Sequence, residues 1–338
     1  ANTKGVMLLP QNVNNLVAQN AYVFILATGM LFCILTGGNI DLSVGSVVCF
    51  AGAVGATLME SKGMNPWAAS IMMLLIGLLI GAWQAFWIAY VHVPPTTLSG
   101  MLVFRGLSNV VLNGLTVSLT NAGFVKVFGG GAECYIPDFL GGNGFNITCM
   151  LVGVIACVIY VLVQIKNRMN RAKKGYEMEA LSAMVIRTVI ICAVILVFMF
   201  RLAQYKGIPT ALVWVALVVL IYGYITSKTT TGRYFYAVGG NEKATKLSGI
   251  DTNKVYFIAY TNMGFLAALA GMLTIARMTS AQPTYGQNYE MDAIGACFVG
   301  GASAYGGVGT VPGVIVGAVL MGVINLGMSI MGVDANYQ

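Results

Sequence analysis

Apolar runs alternate with short polar breaks along almost the whole of this chain. Runs at 16–36, 47–59, 67–91, 97–115, 147–165, 184–202, 209–226, 255–276, 291–300 and 312–331 make ten segments. Several reach the roughly 20 residues a helix needs to cross a bilayer. The pattern predicts an all-α polytopic membrane protein with about ten membrane segments. Polar stretch 39–46, NIDLSVGS, parts the first two runs with no room for a loop, which predicts a broken helix there. Pro66 opens the third run, as proline does at a first helical turn, and Pro94-Pro95 closes it. The early set Gly37, Gly45-Ser46-Val47 recurs late in the chain as Gly301, Gly309-Thr310-Val311 at a constant offset. That echo predicts an internal repeat. Paired broken segments are how repeat-built membrane proteins place a polar pathway.

Composition makes the class firm. Hydrophobic residues are 58% of the 338 and charged residues 9%, against about 25% charge in a soluble domain. The net charge of +7 is a topology signal. Ten of the eighteen Lys and Arg residues fall in two loops: Lys166, Arg168, Arg171, Lys173 and Lys174, then Lys228, Arg233, Lys243, Lys246 and Lys254. Basic loops stay on the cytoplasmic side. The two runs between these loops bring the chain back to the same side, so parity agrees with charge. Loop 116–146 holds one basic residue, Lys126, and is expected outside, as is 277–290. No aromatic-studded basic patch accompanies the charge, which excludes nucleic acid as a partner.

The chemistry-bearing residues are few. Five of the seven cysteines lie inside apolar runs without metal-ligand spacing, while Cys134 and Cys149 flank the 116–146 loop and leave a pairing open. His92 is the single histidine and reads as a loop residue. No carboxylate pair, Ser/His/Asp set or phosphate-binding GxxxxGK[ST] is present. No enzyme activity, cofactor or metal is expected, and any ATP that drives this protein binds another chain. The first residue is Ala1 rather than Met, and the last residues read as a loop, so both ends are expected to be lost from a longer chain.

Two places stand out. Asp41 lies between two apolar runs, and a carboxylate at that depth needs a partner or a cavity. It suits the N-terminus of the helix starting near Ser43. That helix either borders a polar pathway or merely begins at the cytoplasmic surface, and both readings stand. Arg105 interrupts a weaker run, which favours a segment that does not fully cross. The second place is 241–250, NEKATKLSGI. Asn241 suits an N-cap, Glu242 a first turn, Lys246 a last turn and Gly249 a left-handed stop. Ala244 and Leu247 form a small apolar face. About two turns of helix with so little apolar surface is marginal alone and predicts docking on something else.

The motifs LTGGNIDLSVGSV at 35–47, GRYFYAVGGNEKATKLSGI at 232–250 and DAIGACFVGGASAYGGVGTVPGVIVGAVLMGVIN at 292–325 carry a resemblance. In this order, and over nearly the whole chain, they resemble the permease subunits of bacterial ABC sugar importers of the ribose, galactose and xylose type. The likeness is closest to multiple-monosaccharide permeases, which share the basic loop near 166–176 and an extra pair of spans. The resemblance implies one transmembrane permease domain over 1–338 in the inner membrane, with a cytoplasmic coupling loop at 228–254. It implies a coupling helix docking on an ABC ATPase subunit, here through Gly240, Asn241, Glu242, Ala244, Leu247 and Gly249. A second permease copy, an extracytoplasmic sugar-binding protein, a monosaccharide and membrane lipid are the implied partners. Further spans before Ala1 and after Gln338 are also implied. Neutral polar residues suit a hydroxylated solute, so Gln84, Asn109 and Asn262, with Asn39, Asp41 and Ser43 at the break, are the expected pathway residues. One departure is VPPTTLSG at 93–100, about two residues shorter than the family's Pro-x-Phe-Ile-Val-Thr-Leu pattern, which leaves the start of that span open. The alternative is a secondary sugar symporter, with Asp41 and Asp292 as the acids available for ion coupling.

Overall fold

The computed structural model describes residues 9–92, 96–129, 134–142, 144–175 and 180–332. Helices run in the order α1 Pro10–Gln19, α2 Ala21–Leu35, α3 Val44–Ala56, α4 Pro66–Phe86, α5 Thr96–Leu112, α6 Ala122–Phe128, α7 Ile147–Lys173, α8 Leu181–Ala203, α9 Thr210–Lys228, α10 Thr230–Gly240, α11 Glu242–Leu247, α12 Thr252–Met278, α13 Tyr289–Val299 and α14 Val311–Ile330. π-helical turns Thr57–Ser61 and Trp87–Val91 extend α3 and α4. The only strands among the described residues are β1, Val117–Ser118, and β2, Ser280–Ala281.

Each of the ten apolar runs is helical, but they are not all spans. Among the described residues seven helices are long and apolar enough to cross a membrane, or eight when the α1–α2 pair, bent by 43°, counts as one. At 1.5 Å per residue, α5 and α13 fall short. The break in the first run lies at Asn20, whose side-chain amide donates back to the Leu16 carbonyl (2.8 Å).

The chain divides into two compact units, 1–15 with 135–209 and 16–134 with 210–338. In the first, α7 and α8 pair antiparallel. The Cys149 and Cys157 thiols lie against the carbonyls of Met199 and Cys192 (3.5 and 3.7 Å), and Gly153 lets Met199 approach closely. Most of their large apolar side chains, such as Leu162 and Val194, face outward. Such a surface suits lipid rather than water. Ahead of α7, the Asp138 carboxylate accepts from the backbone of Leu140, Gly142, Ile147 and Thr148 and from the Thr148 hydroxyl. These bonds favour the charged form and hold it below the usual carboxylate range.

The second unit is built around α12, buried along most of its length and packed on α2, α3 and α4. Small residues bring the backbones together. Gly77 and Gly81 of α4 face Gly264 of α12, and Gly52 of α3 faces Gly271 of α12. At one end of this unit, β1 pairs antiparallel with β2, Val117 opposite Ala281. There Thr120 also donates its N–H and hydroxyl to Glu60 (2.8 and 2.7 Å). Stretches 116–146 and 277–290, expected as loops on one side, are thus joined in part, but neither is plain loop. Asn121 caps α6 through the Phe124 N–H (3.1 Å), and burial of Phe124 and Phe128 holds that helix down. The 282–290 stretch turns inward. Arg105 of α5 donates to the carbonyls of Pro283 (3.1 Å) and Tyr285, and the Gly286 carbonyl touches Gly45 in the first turn of α3. Gly45 lies fifteen residues before Glu60 in the sequence, or about 22 Å along a helix. Arg105 is therefore held by folded-back backbone, which answers its interruption of the apolar run.

Candidate functional site

The stretch 228–254, read from sequence as a polar loop with one short helix, holds two helices. Thr229 caps α10 by accepting the Gly232 N–H (3.1 Å). Phe235 and Val238, three apart, bury on one face of it, and Phe235 stacks on Phe32 of α2 with ring centroids 4.8 Å apart. Then α11 follows as expected. The Asn241 side chain accepts from the Ala244 N–H (2.9 Å), Glu242 lies in the first turn, and Gly249 takes φ +83°. Burial differs from the expectation. Ala244 is exposed and Leu247 is 89% exposed, while Thr245 is the residue tucked inward, donating to the Ala237 carbonyl (2.8 Å). The small apolar face thus points away from its own chain. Glu242 accepts from the Tyr256 hydroxyl of α12 (3.1 Å), tying α11 to the central helix.

Beyond α10 the backbone meets both polar breaks. A Cβ on Gly239 would overlap the Leu35 carbonyl and the Gly307 nitrogen. The Gly307 N–H donates to Leu35 (3.0 Å), and Tyr236 donates to the Gly309 carbonyl (2.8 Å). Gly38 abuts Ala304, and Gly306 abuts Gly37. The two breaks that echo each other in sequence therefore touch. Helices α2 and α13 ahead of them run in the same direction, since Tyr22 and Tyr289 at their starts stack with centroids 3.7 Å apart.

Four of the six expected pathway residues gather at the first break. Asp41, 3% exposed, accepts from the Ser43 N–H (2.9 Å) and hydroxyl (2.6 Å), and the Ser43 hydroxyl lies 2.9 Å from Oε1 of Gln84. Asp41 braces the turn just before α3, while no side chain caps the helix itself. The Gln84 Nε2 is buried without a partner. Asn39 sits beside them in sequence, with its amide donating to Thr36 (3.3 Å). The other two lie apart. Asn109 is exposed toward the end of α5, and Asn262 accepts from the Tyr222 hydroxyl, linking α12 to α9. Residues 93–95 of the shortened motif lie outside the described residues, while Thr96 and Thr97 are buried at the start of α5.

Sequence reasoning missed the partner of Asp292, which accepts from the Tyr22 hydroxyl (2.7 Å). The acid is visible in the sequence as a charge beside an apolar run, whereas a tyrosine inside such a run gives no signal. Cys134 and Cys149 are free thiols. Among the described residues no group of three His, Cys, Asp or Glu side chains gathers to hold a metal ion. If Asp41 holds the break together, Asp41→Ala is expected to cost about 2 kcal/mol by stranding the Ser43 N–H, while the Ser43 hydroxyl keeps Gln84 as its acceptor. Thermal unfolding in detergent reads this as a lower Tm, with Asp41→Asn losing less. An unchanged Tm for Asp41→Ala rules the role out.

The arrangement offers packed helices, two touching breaks and an exposed helix. Residues 95–338 match the family described as branched-chain amino acid transport system / permease component. The chain belongs to this permease family. It is 36% identical over 338 residues to the xylose transport system permease protein XylH of Escherichia coli K12, covering 99% of this chain and 83% of that one. The XylH of Haemophilus influenzae is likewise 36% identical, with 99% and 87% covered. The ribose import permease protein RbsC of Escherichia coli K12 is 33% identical over 329 residues, with 97% and 80% covered. No solved structure matches the chain. The permease is a multi-pass membrane protein and not an enzyme.

Proposed function

We propose that the permease is the membrane subunit of an ATP-driven monosaccharide importer in the bacterial inner membrane. The observation that carries this is the extent of the likeness. Relatives named for xylose and ribose align with nearly all of the chain, which favours sugars over the branched-chain amino acids of the family description. In this reading two copies form the membrane core, embedded in lipid, with a separate ABC ATPase subunit under each. A sugar-binding protein delivers substrate on the other side. The chain acts as one permease domain, with α5 and α13 counted as short membrane segments beside the longer ones, ten in all.

Positive charge puts the 228–254 segment in the cytoplasm. There Gly240, Asn241, Glu242, Ala244, Leu247 and Gly249 form the surface that meets the ATPase. Asn39, Asp41, Ser43 and Gln84 border the pathway at the first break, with Asn109 and Asn262 farther along it. The deciding test is uptake into proteoliposomes holding the permease with its ATPase, with the sugar-binding protein supplied outside, using labelled pentoses, hexoses and leucine. Pentose uptake is expected with ATP inside, to vanish with a hydrolysis-dead ATPase, and to survive collapse of proton and sodium gradients. Uptake that instead follows an ion gradient makes the protein a secondary symporter and refutes the proposal.

A further inference from the structure

The second unit contains a cavity of about 360 Å³ that none of the expected pathway residues lines. It lies where α1 bends into α2, beside the start of α13, the last turns of α12 and the far part of α14. Ligand sites run from about 300 to 1,000 Å³, so this one suits a single small molecule. Its walls carry Asn20, Tyr22, Arg277, Tyr289, Asp292 and Asn325. Both helix starts contribute an aromatic ring, and the rings are stacked within 15° of parallel. Tyr22 donates one hydrogen bond to Asp292 (2.7 Å), and a carboxylate accepts several more. Asn325 adds a side-chain amide with two donors and an acceptor. Phe128 and Leu273 supply apolar wall.

We infer that this cavity is the monosaccharide site within the permease. The inference rests on the sugar-importer reading and names where the sugar sits. A pyranose or furanose presents a rim of neutral hydroxyls and an apolar C–H face. The lining answers both, with amides, phenols and a carboxylate for the hydroxyls and rings and alkyl groups for the face. One acid and one base leave the lining formally neutral, as a neutral solute requires. A branched-chain amino acid is the competing occupant. It needs a free acid for its ammonium and a purely apolar recess for its side chain. The Asp292 carboxylate could hold the ammonium, but amides and hydroxyls spread around the walls leave no such apolar recess in this lining. The cavity lies toward the end marked by Met278 and β2, away from α11. That is the end at which a binding protein delivers its sugar, so the site is the first one a released sugar meets.

The test labels a cysteine at the rim. Ser329 lines the cavity and is exposed, so Ser329→Cys gives a thiol reactive to a small thiosulfonate reagent. Thr284→Cys, exposed and outside the lining, is the control, and the parent sets the background of the native thiols. In the assembled transporter, xylose or ribose is expected to slow labelling of Ser329→Cys and leave Thr284→Cys unchanged. In the same preparation, Asp292→Asn and Tyr22→Phe are expected to lower sugar uptake about tenfold or more, the worth of one hydrogen bond to a charged group, with the ATPase still bound. Sugar uptake by the parent without protection of Ser329→Cys and with normal uptake by both variants places the sugar elsewhere and overturns the inference alone. Protection by leucine in place of the sugars overturns it in favour of an amino acid site. Failure of the parent to take up any sugar overturns the importer reading, and the inference with it.

Discussion

Replacing Leu247 by aspartate is expected to abolish ATP-driven uptake while the permease accumulates in the membrane at its usual level. The two halves of this result have separate causes. Leu247 is 89% exposed, so its own chain loses almost no packing when it changes, and surface substitutions of this kind stay within about 0.5 kcal/mol. Against a partner the balance reverses. Fully burying a leucine is worth about 1.5–3 kcal/mol, and a carboxylate forced into the same contact adds its own desolvation cost. The sum weakens docking by about a hundredfold or more. Co-purification of the ATPase with a tagged permease reads the docking, and labelled-sugar uptake reads the consequence. Full uptake by Leu247→Asp would mean that α11 is an ordinary surface helix. Leu247→Met, which keeps the apolar surface, is expected to retain most activity.

The second large effect is on the fold. Gly264→Leu is expected to yield no monodisperse, folded permease in detergent. A Cβ at this position would overlap the Gly77 carbonyl and lie 2.6 Å from Cα of Gly81. Those atoms are backbone and cannot swing aside. Overpacking a tight core costs about 1–3 kcal/mol even where side chains can adjust, and here α4 must separate from α12 along its length. The series Ala, Val, Leu at 264 should lower the Tm step by step. Size-exclusion profiles and thermal unfolding check this, and a Gly264→Leu protein as stable as the parent would refute the close-contact account. A methyl group on Gly106 would meet nothing within 4 Å, so Gly106→Ala should be neutral and serves as the comparison.

Much of the fold is legible in the sequence because hydrophobic length is a blunt, reliable signal. Every apolar run is a helix, and the polar breaks at 37–43 and 300–310 are breaks in the structure. What escapes depends on contacts the sequence does not encode locally. Helix α10 reads as loop because its composition is polar, yet Phe235 and Val238 suffice once α2 offers a surface. The inward turn of 282–290 reads as external loop because nothing marks a backbone that will accept from an arginine far earlier in the chain. Of the candidate residues, Asp41, Ser43 and Gln84 come together because a buried carboxylate and amide demand partners. Asn109 and Asn262 carry the same chemical signal without that demand: one is exposed, and the other satisfies a tyrosine between helices.

The meeting of 37–38, 239–240 and 304–307 has a mechanical consequence. Protein interiors usually absorb small displacements by letting side chains move among rotamers. At this junction there are almost no side chains to move, and backbone lies directly against backbone with no room for a Cβ between. In the coupling reading proposed above, a push through α11 into the end of α10 bears directly on the backbone of both polar breaks. A side chain at Gly239 would wedge that contact apart, because its Cβ would overlap the Leu35 carbonyl and the Gly307 nitrogen.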